Sequence, residues 1–263
     1  MVTAGADDPL PPAHLLRAPA HWQAIDFVSD LHLCEALPRT FDAFAQHLLH
    51  SPAEAVCILG DLFEAWVGDD MGQRGFERQC VELLAQVSQR KQLAFMVGNR
   101  DFLVGNAFLE QTGCWVLADP TAVEAWGQRT VLSHGDAWCL SDLPYQAFRR
   151  QVRSLGWQSE FLARPLSERL KIAADIRSAS KGRREFDGAA DADVDAASAL
   201  ACLRQAGATT LIHGHTHRPS DDLLAPGLQR RVLSDWDLDH GRRAEVLRWS
   251  PGGFQRLPPN AGH

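Results

Sequence analysis

At 263 residues the chain is long enough for one large α/β domain or two small ones, with a substantial core in either case. Hydrophobic residues make up 45% and charged residues 22%, a globular balance, and the net charge of −7 argues against nucleic acid as a partner. No run of about 18 apolar residues occurs, which excludes a membrane-spanning helix, and the acids and prolines of residues 1–20 do not suit a secretory signal.

Taken in chain order, residues 1–22 are expected to be a disordered tail. Strands are predicted at AIDFVS (24–29), AVCIL (55–59) and LAFMV (93–97). Helices with apolar residues at helical spacing fall between them, at 39–50 and roughly 75–90. Strand–helix–strand alternation of this kind argues for a layered α/β fold. Further β runs follow at 115–117, 121–126 and 129–133, then at 209–212, 230–234 and 244–249. Helices flanking a β-sandwich fit this order. Residues 142–205 read as an almost wholly helical insertion into a core made of 23–141 and 206–258. From Tyr145 to Phe186 there are ten Lys/Arg against four Asp/Glu, so this stretch carries +6 in an acidic chain. It reads either as a surface for anionic groups or lipid, or as a solvated helical pair packed on the domain. Six cysteines (34, 57, 80, 114, 139, 202) form no C-x-x-C pair and are expected to be free thiols of a reducing cytosol.

Five short motifs, four of them directly after a predicted strand, carry chemistry. They are Asp30-Leu31-His32, Gly60-Asp61, Gly98-Asn99-Arg100-Asp101, Ser133-His134-Gly135-Asp136 and His213-Gly214-His215-Thr216-His217. Singly each has an ordinary reading as a turn or a hydrogen-bonded histidine. As an ordered set at the carboxyl ends of strands, where ligands of α/β sheets gather, they predict a metal site of Asp30, His32, Asp61, Asn99, His134, His215 and His217. Imidazole and oxygen donors without sulfur suit a borderline-to-hard divalent ion. Two such ions sharing Asp61 would generate hydroxide near neutral pH. Two carboxylates do not neutralise four positive charges, and the surplus favours a phosphoester substrate. Asp61, Asn99, Arg100 and His134 are then the candidate catalytic residues. Arg100 could hold phosphate oxygens with its planar fork or pair with Asp101. Asp136 could orient an imidazole or only end a turn.

The ordered set D-x-H, G-D, G-N, H and G-H-x-H resembles the calcineurin-like metallophosphoesterase superfamily. The resemblance implies a four-layer α-β-β-α sandwich with a helical cap. It assigns Asp30, His32, Asp61 and His217 to one ion and Asp61, Asn99, His134 and His215 to the other, and leaves His213 behind the ligands. ILGDLFEAWVGDD (58–70), GNRDFLVG (98–105), HGD…SD..YQAFR (134–149) and LIHGHTHRP (211–219) are similar to the UDP-2,3-diacylglucosamine diphosphatase family over roughly 24–240. That likeness implies attack on the α phosphorus, giving the lipid 1-phosphate and UMP in lipid A synthesis, with two Mn²⁺ ions. It also implies a cap over the acyl chains and a cytoplasmic protein peripheral on the inner membrane. By family position Asn99, Arg100, Asp142, Tyr145, Ser180, Arg184 and His215 would contact substrate. Two departures stand out: Arg184 and Asp187 replace an Asn and a Lys, and SDWDLDH (234–240) replaces a GAWH-type ending. The alternatives are a general calcineurin-like phosphodiesterase on soluble nucleotides, which the apolar, basic insertion disfavours, and a non-catalytic module, which would have lost a ligand.

Overall fold

The computed structural model describes residues 14–187 and 192–259, the side chains of 179–187 excepted. Two six-stranded sheets lie face to face. One is built on parallel pairing of β2 (Ile25–Val28), β3 (Ala55–Leu59), β4 (Gln92–Met96) and β5 (Trp115–Val116), with β11 (Val246–Ser250) and β12 (Gly253–Leu257) added antiparallel at the other edge. The other runs β1 (His14–Arg17), β6 (Thr121–Ala125), β7 (Gln128–Ser133), β8 (Thr210–His213), β10 (Leu228–Val232), β9 (Ser220–Ala225).

Side-chain alternation explains the layering. In β3, Ala55, Cys57 and Leu59 face the second sheet, where they meet Val123, Leu132 and Ile212. Val56 and Ile58 point the other way, to Phe44 and Leu48 of α1 (Pro38–His50) and Leu84 of α2 (Gly75–Ser88). A strand covered on both faces reads as a continuous apolar run rather than an alternating one, which is why AVCIL is legible as a strand. The helix α3 (Asn106–Thr112) completes this outer layer with buried Phe108. On the far side α7 (Ala196–Ala206) packs Ala199, Cys202 and Leu203 on Val131 and Leu211. The result is the expected four-layer sandwich. All six cysteines are free, and all but Cys34 are buried.

The helical insertion is smaller than the sequence suggests. α7 belongs to the sandwich because its apolar face covers the outer side of β7 and β8. The remaining helices are α4 (Leu143–Val152), α5 (Leu155–Leu162) and α6 (Leu166–Asp187). Arginines tie them to acids of the core: Arg149 and Arg153 to Asp136, Arg169 to Asp70, Arg177 to Glu64. Phe161 is buried with the α1–α2 cluster, whereas Leu143 and Leu155 are 72% and 85% exposed. No described helix is long and apolar enough to cross a membrane. The expected N-terminal tail also needs correction. His14–Arg17 pairs in parallel with β6, and residues 1–13 lie outside the described ones. Four residues with mostly exposed side chains carry no periodic signal of their own; the partner strand makes them a strand.

A buried ion pair closes the end of β2 remote from the motifs. Asp26 is fully buried and accepts from Arg248 Nε and Nη2 at 2.7 and 2.8 Å and from Ser51 Oγ at 2.6 Å, with His47 Nε2 3.2 Å away. Burial alone would raise the Asp26 pKa, but these donors hold it at about 2, below its ordinary 3.8. A carboxylate with a depressed folded pKa stabilises the fold above pH 3.8 and loses that contribution as pH falls through about 2. The stability gap between wild type and Asp26→Asn, read by urea unfolding, should therefore shrink by about 2 kcal/mol between pH 5 and pH 2. A gap constant over that window would remove the ion pair as its source.

Candidate metal centre

The five motifs meet at one end of the sandwich because every one of them leaves a strand end or the turn beyond it. Three glycines make the approach possible. A Cβ on Gly60 (φ +88°) would sit 2.5 Å from His134 Nδ1 and 2.7 Å from Gly98 Cα. A Cβ on Gly98 would collide with the Asp61 carboxylate, and one on Gly214 with Asp30 and Ser29. Seven described non-glycine residues have positive φ, and five are Asp30, His32, Asp61, His215 and His217. That conformation costs about 1–3 kcal/mol per residue, and such strain gathers at functional sites.

The carboxylates are held by backbone donors. Asp30 Oδ2 accepts Ser29 Oγ–H at 2.5 Å and His215 N–H at 2.9 Å. Asp61 Oδ1 accepts Arg100 N–H at 2.8 Å. Asp101 is no partner of Arg100; its carboxylate accepts N–H from Gly98 (2.7 Å), Leu62 (2.8 Å) and Asp61 (3.3 Å) and so pins the β3 and β4 turns together. Burial and neighbouring Asp61 push Asp101 up to about 6 despite those donors. Arg100 forms no ion pair among the described residues, though its charge acts on Glu64.

The rings converge on the same space. His32 Nε2 lies 3.2 Å from His217 Nε2 and 4.0 Å from Asp61 Oδ2. His217 Nε2 is 3.3 Å from Asp30 Oδ1. The His134 Nδ1–H bonds to the Leu59 carbonyl at 2.9 Å, which turns Nε2 toward Asp61 Oδ1 (3.6 Å) and Asn99 Oδ1 (3.0 Å). His215 Nδ1 is 2.7 Å from the same Asn99 oxygen. Burial tends to neutralise His134, but Asp61, Asp30 and Asp136 raise it to about 9. Burial and His134 together push His215 down to about 4, so its ring is neutral at pH 7.

These donors fit divalent ions. Asp30, His32 and His217 offer ligand atoms within 4.8 Å of one another, as do Asp30, Asp61 and His134. Nitrogen and oxygen donors at this density, with four imidazoles crowded around two carboxylates, are the chemistry of an ion-binding cluster. The two groups share Asp30; Asp61 nevertheless presents Oδ2 to His32 and Oδ1 to His134, and so spans both.

Other expected site residues lie elsewhere or serve differently. Asp142 caps α4 by accepting Tyr145 N–H at 3.0 Å. The Tyr145 hydroxyl donates to Asp136 at 2.6 Å, while its ring lies 5.7 Å from the His215 ring, centre to centre. Asp136 thus anchors α4 through Tyr145 and Arg149 rather than orienting a ring or merely ending a turn. His213 is buried behind the motif, with Nδ1 on the Gly214 carbonyl, and burial pushes it down to about 4. The Ser180, Arg184 and Asp187 side chains fall outside the described ones. Three residues escaped the sequence reading. Glu64 stands behind His32, Asp235 behind His217, and Asp119 accepts the His134 N–H at 3.2 Å. The signal for Glu64 was an acid inside the apolar run LFEAW; for Asp235 it was the departure at 234–240.

Comparison with known proteins accords with this geometry. The family described as calcineurin-like phosphoesterase matches residues 24–219. A protein of Ralstonia nicotianae named UDP-2,3-diacylglucosamine hydrolase is 40% identical over 95% of this chain and 98% of its own length. One of the same name from Chromobacterium violaceum is 41% identical over 89% of this chain and 98% of its own. A third, from Haemophilus ducreyi, is 40% identical over 88% and 98%. The chain is therefore a metal-dependent hydrolase that belongs to the calcineurin-like phosphoesterase family, in the group of the proteins named UDP-2,3-diacylglucosamine hydrolase.

Proposed function

We infer that the chain hydrolyses the diphosphate of UDP-2,3-diacylglucosamine to 2,3-diacylglucosamine 1-phosphate and UMP, a step of lipid A synthesis. The observation that carries this reading is the cluster of Asp30, His32, Asp61, His134 and His217 at the strand ends, with Asn99 and His215 packed against it, in a chain 40% identical over 95% of its length to a protein named for that substrate. Asp30, His32, Asp61 and His217 would hold one Mn²⁺, and Asp61, Asn99, His134 and His215 a second. Two bound ions supply an activated water and positive charge for the phosphate oxygens.

The chain's own groups do the rest. Two carboxylates against four positive charges leave the cluster attractive to a diphosphate. Arg100, free of any ion pair among the described residues, lies beside Asp61 and can bind two phosphate oxygens with its fork. That contact strengthens as charge builds on the equatorial oxygens. Asn99 and His134, 3.0 Å apart, and neutral His215 fix the opposite wall. Tyr145 offers a ring face beside His215, and by the resemblance Asp142, at the start of α4, would add a substrate contact; the Ser180 and Arg184 contacts rest on that resemblance alone. The exposed Leu143, Leu155, Leu162 and Leu170 supply apolar surface for acyl chains. With the basic charge of 145–186 they also favour peripheral attachment to the cytoplasmic face of the inner membrane. The same surface disfavours a phosphodiesterase for soluble nucleotides.

Protein stripped with EDTA should lose UMP release from UDP-2,3-diacylglucosamine and recover it with Mn²⁺, and in ¹⁸O water the label should appear in UMP. Activity indifferent to chelation would overturn the metal mechanism; equal kcat/KM for UDP-GlcNAc would overturn the lipid specificity. Arg100→Ala should lower kcat about 10²–10³-fold with little change in Tm. Gly98→Ala, which drives a methyl into Asp61, should abolish Mn²⁺ binding in calorimetry while circular dichroism still reports a folded chain.

A further inference from the structure

The two histidines assigned to the first ion have a feature that the other two lack. Each turns its Nε2 into the cluster and its Nδ1 toward a carboxylate that is itself gripped by an arginine. His32 Nδ1 is buried without a well-aligned hydrogen bond and lies 3.3 Å from Glu64 Oε2. The other Glu64 oxygen accepts Arg177 Nη1 of α6 at 2.6 Å, and the Glu64 N–H is fixed to the Leu33 carbonyl at 3.1 Å. His217 Nδ1 lies 3.7 Å from Asp235 Oδ2, which also receives Arg243 Nη2. Asp235 is buried and its Oδ1 has no hydrogen-bond partner. By contrast, His134 Nδ1 rests on the neutral Leu59 carbonyl, and His215 turns its Nδ1 into the cluster, against Asn99 Oδ1, with no carboxylate ion-paired to its ring among the described residues.

A carboxylate behind a ligating imidazole fixes the ring's tautomer and orientation and raises its donor strength, and losing it typically costs 10- to 100-fold in metal affinity. We propose that Glu64 and Asp235 are positioning residues for one ion only, the ion of Asp30, His32, Asp61 and His217, and make that position the tighter of the two. This rests on the two-ion reading above. It has a structural corollary. Arg177 belongs to α6, so the helical segment reaches the first ion through Glu64, and the arginine holds the carboxylate in place for the ring.

The test is Mn²⁺ binding by the full metal-free chain, with free Mn²⁺ followed by electron paramagnetic resonance and no substrate present. Wild type should show two classes of one ion each. Glu64→Gln and Asp235→Asn should each weaken the tighter class about 10- to 100-fold and leave the weaker class within twofold, and loss confined to the weaker class would overturn the proposal. Arg177→Ala should weaken the same class to a smaller degree. Asp239→Ala is the control. Asp239 caps α1 through the Arg39 and Thr40 N–H groups at 3.0 Å and touches no ligand, so its loss should lower Tm with both classes intact. Wild-type affinity for both ions in Glu64→Gln and Asp235→Asn would overturn the proposal. So would equal weakening of both classes accompanied by a lower metal-free Tm, the mark of a general loosening. Wild type that binds fewer than two Mn²⁺ would instead sink the two-ion reading itself.

Discussion

Everything at the centre depends on how closely the ends of β3, β4 and β8 approach one another and β2. Gly60, Gly98 and Gly214 each occupy a place where even a methyl group would meet a side chain of the cluster or the backbone beside it. Asp30, His32, Asp61, His215 and His217 accept left-handed backbone in order to aim inward. Such a conformation persists only where the surroundings over-determine it. Here they do: Asp101 binds three N–H groups across two turns, and the His215 N–H reaches back to Asp30. Rigid sheets packed on both faces supply the frame, so the strain resides mainly in the few residues of the candidate cluster.

The buried acids divide the labour. Asp30 and Asp61 face the rings. Asp101 and Asp119 tie the turns that carry them. Asp136, held well below the usual carboxylate range by His134, Arg149 and Arg153 against the opposing effect of burial, anchors α4. Read as sequence, the +6 of residues 145–186 offered a choice between a binding surface and a solvated helical pair. Four of its ten cations (Arg149, Arg153, Arg169 and Arg177) turn inward and dock the helices on core carboxylates. Arg169 is almost fully buried in doing so. The basic character is partly structural, and the apolar side chains left outside are those that need another explanation.

Glu64 and Asp235 show how local departures acquire meaning. The SDWDLDH stretch looks anomalous as a string. Folded, Asp235 backs His217, Trp236 N–H reaches the Asp30 carbonyl at 3.0 Å, and Asp239 caps α1. One short segment therefore buttresses the loop bearing Asp30 and His32 from its far side.

The sequence by itself determined the layered α/β class and most strands between 24 and 133, because strands buried on both faces and amphipathic helices write their periods into the chain. It also pointed to the cluster at the strand ends, where the structure brings Asp30, His32, Asp61, Asn99, His134, His215 and His217 together. Short or polar elements stayed hidden: β1, β9, β12 and the seven-residue α3 lack a period long enough to read and exist through their neighbours. Only the tertiary structure moved α7 from the insertion to the sandwich, paired Asp136 with Tyr145 and Arg149, and set Glu64 and Asp235 behind their histidines. Each of those joins side chains distant in the chain, or adjacent ones whose directions the backbone alone decides, and no local pattern encodes such a meeting.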